Sequence, residues 1–170
     1  LPARSTAVGH FNDVDSLVLY EDNHLLIINK PAGMAVHGGS GVNVGVIESL
    51  RHARPEGDRL ELVHRLDRGT SGCLMVSKRR SYLRLLQDAL RNPGQIRKHY
   101  LAVVHGRWSR KMVQIDQPLM TSSNAGKERI TRVNGQGKYA VTDFSLLESN
   151  DEMSIVRASP RTGRTHQIRV

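Results

Sequence analysis

Short β-rich apolar runs, broken every few residues by turn-forming residues, constrain the fold of this chain more than any other feature. Strands are expected at 17–20, 25–28, 60–66, 73–77, 100–104, 112–115, 130–133, 141–147 and 155–158, with a final run over 166–170. Glu21-Asp22-Asn23-His24 reads as a hairpin turn, and Lys30-Pro31-Ala32-Gly33 ends the second strand, because proline removes a ladder donor and glycine permits the bend. Only two helical stripes interrupt the strands. Val46, Ile47 and Leu50 recur at helical spacing within 44–54. Tyr82, Leu83, Leu86, Ala89 and Leu90 share one face of 79–91, with Arg80, Arg84 and Arg91 largely off it, and Asn92-Pro93-Gly94 stops that helix. Many strands with two inserted helices predict an α+β domain with a mixed, mostly antiparallel sheet rather than a doubly wound one. Residues 1–16 lack periodicity and read as an N-terminal arm or linker remnant, which leaves 17–170 as the domain.

Charge narrows the partner. The 170 residues carry 25 Lys and Arg against 16 Asp and Glu, a net +9, which points to a polyanion such as nucleic acid. No apolar run approaches the ~20 residues of a membrane span, and no segment joins a strong apolar face to a dense basic one, so a membrane partner is not expected. Aromatic residues are only 4% of the chain, so any base contact must rely on one or two rings. The single cysteine, Cys73, cannot form an internal disulfide, which fits a reducing cytoplasm, and its apolar surroundings place it in a strand core. The opening Leu1-Pro2-Ala3-Arg4-Ser5-Thr6 lacks the apolar region of a secretory signal. The eight histidines show no i,i+4 carboxylate pattern and the lone cysteine has no ligand partner, so no metal is expected. Gly38 to Gly45 lacks the lysine and spacing of a phosphate-binding loop and reads as a connection.

Three polar constellations stand between the apolar runs. In His64-Arg65-Leu66-Asp67-Arg68-Gly69-Thr70-Ser71-Gly72, a carboxylate between two arginines can be held ionised for nucleophilic or base chemistry, or can belong to a surface ion-pair cluster with a turn at 67–71. In Arg161-Thr162-Gly163-Arg164-Thr165-His166-Gln167-Ile168-Arg169, strand alternation would put Thr165, Gln167 and Arg169 on one face, as a phosphate clamp, a partner for Asp67 or a solvated edge. In Arg97-Lys98-His99-Tyr100, the tyrosine beside cations can stack on a base or serve as an ordinary core ring. Each constellation, taken alone, favours its plainer reading.

Together, Asn29-Lys30-Pro31-Ala32-Gly33 with Val36-His37, His64-Arg65-Leu66-Asp67 with Thr70-Ser71-Gly72, Lys98-His99-Tyr100 and Gly163-Arg164-Thr165-His166-Gln167-Ile168-Arg169 resemble, in order and spacing, the RluA-type pseudouridine synthases. The fit is closest to the member that acts on large-subunit ribosomal RNA. The resemblance implies the pseudouridine-synthase fold with a basic cleft, and isomerisation of uridine in RNA without cofactor or metal. It implies that Asp67 is catalytic, that Arg65 enters the RNA stack in place of the flipped uridine, that Tyr100 stacks on the target base and that Arg169 pairs with the catalytic carboxylate. Arg68, Lys98, Arg164 and Gln167 are carried as RNA contacts and Ile168 as pocket lining. Ribosomal RNA is the favoured partner and transfer RNA the second, for a cytoplasmic monomer. Two departures stand out: Gly69 occupies a position usually acidic in the family, and the chain stops at Val170 where members continue, so the domain is expected to be truncated at its C-terminal end.

Two other classes are separable from this reading. A noncatalytic, ribosome-associated RNA-binding module has no use for an acid facing phosphates, so a buried Asp67 beside Arg169 argues against it. A glycosidase needs a second carboxylate ~5–9.5 Å away, and no other acid accompanies Asp67 in the motifs.

Overall fold

Hydrophobic alternation and two amphipathic stripes build two compact units, Leu1–Asn92 and Pro93–Val170. The computed structural model describes residues 13–39, 44–92, 94–122 and 129–170. Most of the expected N-terminal arm (1–12) and part of the glycine-rich connection (40–43) lie outside the described residues. Every ladder between described strands is antiparallel, and with two helices the architecture is α+β.

The first unit opens with a 3-10 turn, Val14–Leu17, capped by the Asp13 carboxylate accepting from Ser16 N at 3.1 Å, with Val14 buried. Strands β1 (Val18–Glu21) and β2 (Leu25–Lys30) then form the expected hairpin. Its turn is held by Asp22, whose carboxylate accepts from the backbone N–H groups of His24 and Leu25. Helix α1 (Val46–Ala53) follows, its start secured by Glu48, whose carboxylate accepts from Gly38 N and Gly45 N. Strands β3 (Glu61–Leu62) and β4 (Gly72–Ser77) and helix α2 (Arg80–Arg91) complete the unit, with sheet order β1-β2-β4-β3. Leu26, Ile28, Leu50, Leu60, Leu74 and Val76 are fully buried, and Leu83 is the buried centre of the α2 stripe.

Two local expectations need correcting here. The 60–66 strand shrinks to two residues, because after Val63 the chain turns out of the sheet to make the loop that carries Asp67. Cys73 is exposed rather than in the core: β4 buries Leu74 and Val76 on one face, and period-two alternation turns Cys73 to the other.

In the second unit, β5 (Tyr100–His105), β6 (Gln114–Asp116), β9 (Val141–Ser149) and β10 (Met153–Pro160) form a sheet of order β5-β10-β9-β6, while β7 (Leu119–Ser122) pairs with β8 (Ile130–Val133). Val141, Val156 and Ala158 are buried there. The final run, 166–170, is not a strand. It forms helical turns, with Arg169 N and Val170 N both donating to the His166 carbonyl.

Candidate active site

Period two along β2 places Lys30 in phase with Leu26 and Ile28, so a lysine occupies a core position with no exposed surface. A buried ammonium needs hydrogen-bond acceptors, and Lys30 Nζ donates to the carbonyls of Met34 at 2.9 Å, Pro31 at 3.0 Å and Arg68 at 3.3 Å. Burial pulls the Lys30 pKa below its ordinary value, and the Asp67 charge acts in the opposite direction.

The lysine thereby joins two motifs separated in sequence. Gly33 N donates to the Arg68 carbonyl at 2.7 Å and Arg68 Nε donates to the Gly33 carbonyl at 2.9 Å, so the Pro31–Gly33 bend and the Asp67 loop are clasped reciprocally. Gly33 makes this bend at φ +88°, a backbone conformation that disfavours a side chain. On the loop itself, Thr70 N donates to the Asp67 carbonyl at 3.0 Å and closes a tight backbone turn over 67–70. Leu66 is only 7% exposed and anchors the loop, with Arg65 exposed before it and Asp67 half-buried after it. The loop returns to the sheet opposite Lys30, at the Lys30–Gly72 pair. A carboxylate on a backbone fixed in this way is held in place before any ligand arrives, as electrostatic and nucleophilic chemistry requires.

The second unit gathers the other motifs. Pairing of β5 with β10 sets Tyr100 opposite Ala158, and Tyr100 is half-buried on the strand face it shares with Ala102. Lys98, just before β5, is half-buried, and loss of hydration holds its ammonium below the ordinary lysine pKa. Its Nζ lies beside Gly163, where an added Cβ would stand 3.9 Å away.

Gln167 organises the segment after β10. Its Oε1 accepts from Thr162 Oγ1 at 2.8 Å and Arg164 N at 2.9 Å, and its Nε2 donates to the Val141 carbonyl at 3.0 Å and Thr142 Oγ1 at 2.9 Å. These four bonds replace the expected strand by a compact turn tied to β9, so Thr165, Gln167 and Arg169 do not share a strand face. Arg164 Nε donates to the Tyr139 carbonyl at 2.8 Å, Ile168 is half-buried and Arg169 is exposed.

Each unit thus unites part of the predicted site. Arg65, Asp67 and Arg68 share one loop; in the second unit Lys98 lies beside Gly163, at the start of the segment that carries Arg164, Gln167, Ile168 and Arg169, while Tyr100 sits on β5 opposite Ala158. Arg68, Arg164 and Gln167, expected as RNA contacts, have side chains engaged with protein groups. The groove of about 450 Å³ beside Trp108 and Phe144 is lined by none of the motif residues. Lys30 received no role from the sequence, although a lysine at the buried phase of a strand was the available signal.

Residues 24–170, which contain all four motifs, match the family described as RNA pseudouridylate synthase. The chain belongs to this family. Among relatives, the ribosomal large subunit pseudouridine synthase C of Pasteurella multocida (strain Pm70) is 49% identical over 166 residues, covering 98% of this chain and 51% of that protein. The protein of the same name from Escherichia coli (strain K12) is 53% identical over 154 residues, covering 91% of this chain and 48% of that one. The chain therefore spans about half the length of the curated relatives it matches. Among solved structures, human RNA pseudouridylate synthase domain containing 4 superposes with a TM-score of 0.70 at 26% identity, covering 92% of this chain and 63% of that one. Human RNA pseudouridylate synthase domain containing 1 gives 0.68 at 26%, over 90% and 62%. In this pseudouridylate synthase chain, the buried lysine and the hydrogen-bonded glutamine both lie in segments that had carried the family resemblance.

Proposed function

We propose that this chain carries the catalytic centre of an RNA pseudouridine synthase that isomerises specific uridines in structured RNA, with large-subunit ribosomal RNA as substrate and 17–170 as the catalytic domain. The observation that carries the reading is the half-buried Asp67 on a loop whose backbone is clamped by the buried Lys30 ammonium. The names of the relatives support the ribosomal substrate. The +9 charge supports a polyanionic one.

The reaction breaks the uridine N1–C1′ bond, turns the base in place and joins C5 to C1′. It conserves every atom, so it calls for no co-reactant. The target must first leave the stack, at a cost of a few kcal/mol. Arg65, exposed at the start of the loop, offsets this by filling the vacated position. Asp67 then acts on the nucleoside, and Tyr100 and Arg169 take the base-stacking and charge roles that the family resemblance implies for them. Lys98, Arg68 and Arg164 serve the RNA backbone, the two arginines each bonded to the protein through Nε, whereas Gln167 shapes the protein around it. A ribosomal RNA substrate fits a cytoplasmic location. Among the described residues no helix is long and apolar enough to cross a membrane.

The test is incubation of the full-length protein with unmodified ribosomal and transfer RNAs, followed by pseudouridine mapping. Discrete modified positions in ribosomal RNA, absent with Asp67→Asn, are expected. Unmodified RNA after incubation with the wild type, or equal modification by both proteins, would overturn the assignment.

A further inference from the structure

The place where the chain leaves the first sheet is set by a side chain. β3 pairs with β4 through Glu61 with Ser77 and Leu62 with Val76. The next rung begins normally, with Val63 N donating to the Met75 carbonyl at 3.1 Å. In a regular antiparallel ladder Met75 N would return the bond to the Val63 carbonyl. Instead it donates to Nε2 of His64, at 3.1 Å. The imidazole has taken over the last acceptor of the ladder, which frees the backbone to turn outward one residue before Arg65 and three before Asp67. An accepting Nε2 places the ring proton on Nδ1, so this bond is made by the neutral imidazole.

We propose that His64 is a positioning residue for the isomerisation, ending the β3–β4 ladder with its imidazole and so fixing the point from which Arg65 and Asp67 project. Residue type matters here. A carbonyl in the same place would continue the strand, and an apolar side chain would leave the Met75 N–H without its acceptor. A side chain with an acceptor about as far from the backbone as Nε2 permits both the exit and the bond. Glutamine offers this through Oε1; leucine offers similar bulk without it. The proposal rests on Asp67 as the catalytic carboxylate.

The experiment compares full-length wild type, His64→Leu and His64→Gln by single-turnover rate, RNA affinity and hydrogen exchange of the Met75 amide, with Asp67→Asn in parallel. His64→Leu should slow the rate about tenfold to a hundredfold, the scale of a misplaced catalytic group, with RNA affinity within about twofold. Met75 exchange should accelerate about tenfold or more as its bond is lost. His64→Gln should restore both the rate and the protection to within about threefold of wild type. Unchanged rate in His64→Leu would overturn the proposal. So would equal slowing by both variants with Met75 still protected, since the ring would then be acting elsewhere. If His64→Leu does not fold, His64→Gln decides alone: a slow glutamine variant with normal Met75 protection sinks the idea. Wild-type turnover by Asp67→Asn would instead remove the catalytic reading, while the Met75 exchange pattern would still report whether His64 ends the ladder.

Discussion

The Asp67 loop of the first unit and the Arg169 turn of the second are both short irregular segments leaving a sheet, yet they are secured by different chemistry. The first is held by a buried charge: one ammonium serves three carbonyls, two on the bend after β2 and one on the loop. The second is held by a neutral amide with two donated and two accepted bonds, all to groups within the same unit. Burial costs an ammonium far more hydration free energy than it costs a hydrogen-bonded amide, and it lowers the ammonium's pKa, whereas the amide does not titrate. The charge also couples to the loop's carboxylate, since Asp67 acts electrostatically on Lys30.

This contrast can be broken in four ways. The largest effect should come from Asp67→Asn, which preserves shape and removes charge: turnover should fall roughly a thousandfold or more while RNA affinity and melting temperature stay near wild type. Retained turnover in single-turnover assays would remove the catalytic role of the first loop.

Lys30→Met should cost about 3 kcal/mol of stability, because three carbonyls lose a charged donor inside the protein. The same variant tests the charge itself. With Lys30 held below its ordinary pKa, the unfolded chain binds more protons than the folded one between the lowered value and the ordinary lysine value, so the Lys30 contribution to stability rises with pH across that alkaline window. Denaturant titrations at several alkaline pH values should show this component in wild type and not in Lys30→Met.

Arg65→Ala should slow modification of a structured stem-loop about tenfold to a hundredfold more than that of a flexible strand with the same target, reflecting the few kcal/mol of unstacking. Lysine should rescue poorly, as it lacks a planar group to stack. Equal losses on both RNAs, with full rescue by lysine, would reduce Arg65 to a source of positive charge.

The smallest effect is expected from Gln167→Met, about 1–2 kcal/mol of stability, because the freed groups are neutral and partly reachable by water. Its rate should fall more than its RNA affinity, since the side chain shapes the turn carrying Arg169 rather than touching RNA. Filter-binding and single-turnover measurements would show the opposite pattern if Gln167 were an RNA contact.

Periodicity made much of the architecture legible before any coordinates. The α2 stripe closes on Leu83, the Ile130–Val133 strand has its expected bounds, and the β1–β2 hairpin turns where Asp22 can cap it. Strand β7 lies outside the expected strands, and 166–170 is a turn rather than a strand because alternation alone cannot register a glutamine whose amide competes with the ladder. The motif residues were legible through family resemblance, and their support was not. The Lys30 bond to the Arg68 carbonyl and the His64 bond to Met75 N depend on which atoms meet across more than ten residues of chain.

The Lys30–Arg68 contact joins residues 38 apart, and the Gly33–Arg68 clasp joins residues 35 apart. Contacts of such separation form only after a long loop has closed, so they arise with β2–β4 pairing and not before it. The Asp67 loop is therefore a product of cooperative folding rather than a local turn that preforms in the nascent chain. A substitution that slows closure of this sheet will delay the appearance of an ordered loop to the same degree, even if the final structure is unchanged.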